Sequence, residues 1–532
     1  MISTYKSIAT VTLMGMLLFC SQLSGQGTLQ WSAEHKIDGQ KRIVAAKDGA
    51  IYIQRSLRGY FQDTDYRSDL SRYDSEGNLT HVIAVEQLEE RNYQEVAAID
   101  TDMGIAIIYL TTDYQDPQYL LIAAQLYSHQ DLSPLNVLDL KKVKYTQGNK
   151  SSINDYRNVN GLADIDVKYS EDRTKVAIAY IEEQVGQDKY TKIDFSVYDL
   201  QNGIAEVNSG VIRTDYRSDK YLVEDISISN VGDLAYLIKE YTESRDIEFV
   251  NKKPGYRHSL YYFPRGRESF IYDIPMKQYF IDGMQVALDD EANMYVAGMV
   301  REKPADDVLG TIVSKVDTVG TEAYTKIDMY SSREIEKIRK KKKSNLQREY
   351  EVLDLRLEDM HLYMINEYYD LRLEMYSDPT LIGGGFNRAL NQVEYGYKED
   401  LLIHRLDMST GERVWTTTLP KRQSDYDAYE QYTTGNLWLS DGNLYVVRNE
   451  RQNNLKRVKE GKSPRNLDLP GRTAALLVQT IDTEGKVSTA IAKAEDRYLI
   501  MHEGSLVANK KLHLLTSHRN DRKFRIATLN LR

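Results

Sequence analysis

KDGAIYIQ at residues 47–54 and SRYDSEG at residues 71–77 decide the fold. The first is a turn followed by a short aliphatic strand around Tyr52. The second is a strand end followed by an Asp-x-x-Gly turn at Asp74. The first half recurs as IAIIYL around Tyr109, VAIAYI around Tyr180, DLAYLI around Tyr236, NMYVAG around Tyr295, HLYMIN around Tyr363 and DGNLYVV around Tyr445. A weaker eighth copy, LHLLTS, centres on Leu514. The second half recurs as SVYDLQNG, SKVDTVG, HRLDMSTG and TIDTEG at Asp199, Asp317, Asp407 and Asp482, with degenerate copies near Tyr127, Tyr261 and Asn530. A small unit of strands and turns cannot bury its own faces and must stack between neighbours. The strands are apolar at consecutive positions, as burial on both faces requires.

Eight copies over residues 26–532 allow about 63 residues each, room for a four-stranded blade of roughly 40–50 residues plus loops. The expected fold is an all-β propeller, one domain over residues 26–532, with eight blades and seven as the alternative. The chain ends on FRIATLNLR, which reads as a third strand with no fourth after it. Near the other end, LQWSAEHK aligns Trp31 with Trp415. The N-terminal strand is therefore expected to complete the last blade and close the ring, removing an exposed edge. Three insertions interrupt the repeats. Residues 331–353 read as one inserted charged helix containing the run Arg339–Lys343, dispensable for folding. Residues 370–399 are tyrosine-rich and 449–472 are basic and turn-rich. Trp31 is expected to matter more to stability than Trp438, should Trp438 lie at a strand end.

Ile8–Phe19 is apolar, follows Lys6 and precedes SQLSGQG. It is too short to span a bilayer and suits a signal peptide, residues 1–25, cleaved after Gly25. Cys20 allows a lipoprotein as the alternative. Without Cys20 the chain has no cysteine, which excludes disulfides, thiolate catalysis and zinc–cysteine sites. Export to the periplasm or the outer membrane is expected ahead of extracellular release. A net charge of −10 argues against nucleic acid as a partner. The nine histidines are scattered, and there is no His-Glu-x-x-His, P-loop or G-x-S-x-G pattern. No catalytic residue, metal or cofactor is therefore expected, and His361 and His404 read as packing residues.

Binding signals come from tyrosine, which numbers 40 against 9 phenylalanines and 3 tryptophans. TDYRSD occurs at residues 64–69 and again at 214–219, in different places of their repeats. Related runs are DYQDPQY from Asp113 and SDYDAYEQY from Ser424. A tyrosine offers a flat apolar face and a hydroxyl at modest entropy cost. Tyr66, Arg67, Asp69, Tyr216, Arg217, Tyr426 and Tyr429 are the candidate ligand-binding residues, against the plainer reading of solvated loops. Trp31, Gly411 and Trp415 are the candidate structural residues. The role read from this is a non-catalytic cell-envelope binding or scaffold protein with a protein or glycan partner. The basic run also permits peripheral attachment to an anionic membrane. The alternative role is a glycan-processing enzyme with a carboxylate site at the propeller channel.

Two resemblances bear on this. LDMSTGERVW, residues 406–415, resembles the tryptophan-docking repeat of the quinoprotein-type eight-bladed propellers. That resemblance implies a structural role for Gly411 and Trp415. The chain has too few tryptophans to repeat the motif in every blade, which argues against a quinone dehydrogenase. The stretch Arg333–Gln423 resembles exported propeller-like proteins of Gram-negative bacteria. The matching features are Glu367-Tyr368-Tyr369, the strand from Asp400, Gly411, Trp415, Pro420-Lys421 and Gln423. It brings no catalytic residues with it.

Overall fold

The computed structural model describes residues 29–36, 40–57, 67–85, 93–112, 119–144, 164–183, 191–214, 220–244, 247–303, 308–339, 349–376, 391–426, 435–451, 453–468, 474–492, 498–518 and 523–530. The signal-peptide expectation lies outside them. The chain forms an eight-bladed β-propeller of antiparallel sheets. Blade 1 runs outward from Gln40–Lys47 through Ala50–Leu57 and Arg67–Tyr73 to Leu79–Ala84. Blades 2 to 5 begin at Tyr93–Asp100, Asp164–Tyr169, Tyr221–Ile228 and Phe280–Leu288, and end at Pro134–Lys144, Ala205–Thr214, Phe270–Asp273 and Glu322–Met329. Blade 6 runs from Glu349–Glu358 to Arg413–Leu419, and blade 7 from Asn436–Ser440 to Val487–Ala492. Blade 8 is Tyr498–Ala508, Lys511–His518 and Lys523–Asn530, completed by Leu29–Trp31.

Ring closure thus follows the expectation. Leu29 pairs with Leu529 and Trp31 with Ala527, and His35 then pairs with Phe524. Each quoted first half is the second strand of a blade, from Tyr52 in blade 1 to Leu514 in blade 8. Each Asp-x-x-Gly segment is the turn from third to fourth strand. Asp74 shows why: its Oδ1 accepts from the backbone N–H of Glu76 at 2.9 Å and of Asn78 at 2.8 Å. Asp317 and Asp482 repeat this arrangement, while Asp407 takes the N–H groups of Ser409 and Thr410.

There is no central core. The buried apolar residues form eight clusters, one in each seam between adjacent blades. In blade 1, Ile51 and Ile53 face blade 8 while Ala50 and Tyr52 face blade 2. That two-sided burial is why the second strands read as unbroken apolar runs. The tyrosines add reach: the Tyr52 hydroxyl donates to His129 O in blade 2 at 2.7 Å.

The first strands face the axis. Those of blades 1, 2, 4, 5 and 6 share a register shift, at Ile43/Ala45, Glu95/Ala97, Val223/Asp225, Asp282/Met284 and Val352/Asp354. A bulge re-aims the residues after it; Asp225 and Asp354, which follow two of them, line the channel.

Two readings need correction. Residues 331–353 are not one helix: helix α1 covers Ser332–Arg339, and Glu349–Glu358 is the innermost strand of blade 6. The bulk of Tyr350 and Val352 belongs to the blade 5–6 seam, and this overrode the helical charge pattern. Trp438 is not at a strand end. It sits inside Asn436–Ser440, 2% exposed, with its ring stacked on Tyr445 at 4.9 Å. Trp31 is only partly buried.

Candidate functional site

The topology sorts the connections between the two ends of the ring. One end carries the turns between first and second and between third and fourth strands. The other carries the second-to-third connections and the crossings between blades. The strand ends flanking both TDYRSD copies, DYQDPQY and SDYDAYEQY all lie at this second end. Non-equivalent places in the repeat thus meet on one side. Tyr66, Tyr216, Arg217 and Tyr429 lie outside the described residues. Arg67 opens the third strand of blade 1 opposite Leu57, and Asp69 forms an ion pair with Arg55 across the same sheet. Tyr426 ends the short strand Gln423–Tyr426, opposite Tyr395.

At this end blades 6 and 7 carry an added platform. The blade 6 strands His361–Tyr376 and Asn391–Asp407 run on as a long hairpin. Gln423–Tyr426 pairs with it, and Leu467–Asp468 pairs in parallel with Gln423–Tyr426. Helix α2, Asn454–Lys459, lies between blade 7 and that last strand.

A buried polar network roots the platform. Lys421 forms an ion pair with Glu367, and its Nζ donates to Gln423 Oε1 at 3.3 Å. The Lys421 N–H donates to Asp400 Oδ1 at 3.1 Å, and Gln423 Nε2 donates to Asn449 O at 2.6 Å. Asn449 then bridges to blade 8, donating to Ile500 O at 3.0 Å and accepting from Ile500 N–H at 2.9 Å. Arg448 donates to Pro420 O at 2.8 Å and pairs with Glu450, which holds Asn454 at 2.8 Å. Burial pulls the Lys421 ammonium down to about 8, against the opposing pull of Glu367. Glu367, Asp400, Pro420, Lys421 and Gln423, matched in the sequence only as a resemblance, are therefore one cluster. Arg448, Asn449, Glu450 and Asn454 were missed; their only signal was the polar run that follows the strand DGNLYVV.

The channel is a cavity of about 890 Å³ bounded by blades 3 to 8. Lys168 Nζ meets Asp225 Oδ1 at 3.0 Å, Asp225 Oδ2 accepts from Val286 N–H at 3.0 Å, and Arg356 Nε meets Asp354 Oδ2 at 2.7 Å. Two of the channel carboxylates are thus neutralised by their own neighbours. Glu171 has no hydrogen-bond or ion-pair partner among the described residues. The channel walls desolvate its carboxyl and push it up, Arg356 opposing and Asp290 and Asp354 assisting. No group of three or more metal-ligating side chains occurs among the described residues. His404 is a packing residue, its nitrogens 3.0 Å from Tyr330 Oη and 2.9 Å from Thr416 Oγ1.

Trp415 and Gly411 both lie at seams between blades. Trp415 Nε1 donates to Thr483 O in blade 7 at 3.0 Å, and a Cβ on Gly485 would lie 2.9 Å from its ring. Tyr324 meets Gly411, and Phe270 meets Gly320, at the two preceding seams. Each ring stands four residues after the glycine of its own turn. At these three seams a Trp, a Tyr and a Phe ring each lie against the turn glycine of the following blade.

No protein-family model matches the chain, and no curated protein sequence does. Among solved structures it is similar to the polysaccharide lyase Uly1, at 11% identity over 96% of this chain and 98% of that one, TM-score 0.38. It is also similar to the WD40 domain of SCAP from fission yeast, at 9% identity over 94% and 98%, TM-score 0.33. A Synechocystis apocarotenoid oxygenase matches at 10% identity over 95% and 94%, TM-score 0.31. Likenesses this distant carry no argument about activity.

Proposed function

We propose that this chain is a non-catalytic cell-envelope binding protein that presents the loop-bearing end of its ring to a protein or glycan. One observation carries the reading: four tyrosine- and aspartate-rich runs, from non-equivalent places in the repeat, are flanked by strand ends at a single end of the ring. The platform rooted by Lys421 and Glu367 stands at that same end. The enzyme alternative would draw on several inward carboxylates with Arg or His converging at one mouth of the channel, and Glu171, with Arg173 and Arg356 nearby, is the residue it would rest on. Asp225 and Asp354 beside it are held in ion pairs with Lys168 and Arg356.

The test uses photo-crosslinking side chains at Tyr66, Tyr216 and Tyr429, and separately at Asn78, Glu484 and Asn509 of the opposite end. In an envelope extract, adducts should form from the first set and not from the second. Equal labelling of both ends sinks the reading. Hydrolysis or elimination of an envelope glycan, lost in Glu171→Gln, would favour the enzyme.

A further inference from the structure

Blade 8 alone takes its outer strand from the other end of the chain. Ring closure therefore rests on non-covalent contacts of residues 29–36. Ser32 N–H donates to Ile526 O at 2.9 Å, and Ser32 Oγ accepts from Ile526 N–H at 2.9 Å. Glu34 Oε1 pairs with Lys523 Nζ at 2.5 Å, and Glu34 Oε2 accepts from the Tyr498 hydroxyl at 2.5 Å. His35 crosses to blade 1, where its Nε2 lies 2.9 Å from Gly77 O. Its ring sits between Tyr73, at 4.9 Å, and Phe524, at 5.1 Å. Gly77 permits this seat, because a Cβ there would fall 2.2 Å from the Ser32 Cβ.

We propose that residues 29–36 form an acid-released clasp: protonation of His35 and Glu34 loosens them from the outer edge of Lys523–Asn530.

The charges facing the clasp set the direction. Lys523 and Arg525 face Glu34, and Arg525 lies over the Tyr498 ring at 5.1 Å. The Lys41 ammonium lies 5.3 Å from the Phe524 ring, on which His35 packs, and His518 packs edge-on against Tyr498. The carboxylate of the blade 1 turn, Asp74, is occupied by its own backbone N–H groups. An imidazolium at residue 35 would therefore enter a half-apolar seat between two aromatic rings, with only the Gly77 carbonyl as a polar partner. Burial between the two rings holds His35 below its ordinary range, the hydrogen bond to Gly77 opposing. Hydrogen bonds from Lys523 and Tyr498 hold Glu34 below its own. Both groups bind protons more readily once the segment is released. The closed clasp is thus fully stable above 6.5, the ordinary imidazole value, and weakens as pH falls below it and then below 4.5.

Hydrogen–deuterium exchange of the full chain at about pH 7.5 and about pH 4, normalised to intrinsic rates, tests this. Protection of the Ser32 and Ile526 amides should be partly lost in acid relative to blade 4's outer strand. His35→Gln, which keeps an N–H for Gly77, combined with Glu34→Gln should abolish most of that fall. A fall no larger than that of blade 4, or an equal fall in the double variant, overturns the proposal. A second readout needs no variant. A labelled synthetic peptide of residues 29–36 carrying Glu34→Gln and His35→Gln, which acid does not weaken, should be taken up in acid and not at neutral pH. No uptake in acid also overturns it.

Discussion

The three tryptophans hold two seams, Trp438 and Trp31 the one between blades 7 and 8 and Trp415 the one between blades 6 and 7. Trp438 is enclosed between blades 7 and 8, Trp415 lies across the turn of blade 7, and Trp31 rides on the closing strand. Trp438→Ala should cost on the order of 3–5 kcal/mol in urea unfolding, and Trp31→Ala clearly less, because a cavity at a sealed site cannot collapse. A larger loss for Trp31→Ala would reverse this ranking. Histidine at residue 404 gives a pH test. Burial lowers its imidazole from 6.5 to about 3, with the Arg413 charge adding to the effect. The unfolded chain therefore binds a proton that the folded chain refuses. Its contribution is complete above 6.5 and is lost as pH falls toward 3. His404→Gln should flatten the acid limb of a stability–pH profile measured by urea unfolding. An unchanged slope would show that other groups carry it.

At the scale of elements, helix α1 behaves as a docked cap rather than a free insertion. Ser331 and Glu334 form a reciprocal capping box, with Ser331 N–H donating to Glu334 Oε2 at 2.8 Å. Glu334 also reaches Arg413 of blade 6 at 2.9 Å, and Ile335 packs on the blade 5–6 cluster. Replacing residues 331–353 with a Gly/Ser linker therefore removes half of an inner strand, and should lower Tm by several degrees. Replacing residues 340–348 alone should leave Tm within about 2 °C. Calorimetry of the two variants separates the contributions, and equal Tm values would return the whole stretch to a dispensable loop. This boundary was not legible in the sequence. REIEKIRKKKK reads as helix, and only packing makes a strand of Glu349–Glu358.

For the whole molecule, closure should govern association. Deleting residues 26–39 exposes the outer edge of Lys523–Asn530 and one face of the last blade. Light scattering should show oligomers where the full chain gives none from this edge, as free strand edges recruit partners. A monomeric deletion variant with unchanged unfolding would place closure elsewhere. Local chemistry determined much of this architecture from the sequence alone. Consecutive apolar residues around Tyr52, Tyr109 and Tyr180 demand burial on both faces. Aspartate and glycine at fixed spacing demand tight turns, and a terminal repeat one strand short demands a strand from elsewhere. Those constraints act within a few residues, so they survive in one dimension. Tertiary structure alone decided which residues separated in sequence become neighbours. It joined Lys421 to Glu367 and Arg448 to Pro420, neutralised Asp225 with Lys168, and set the strand ends flanking the two TDYRSD runs at one end of the ring. Such contacts depend on the radius and register of the closed ring, which no single repeat encodes.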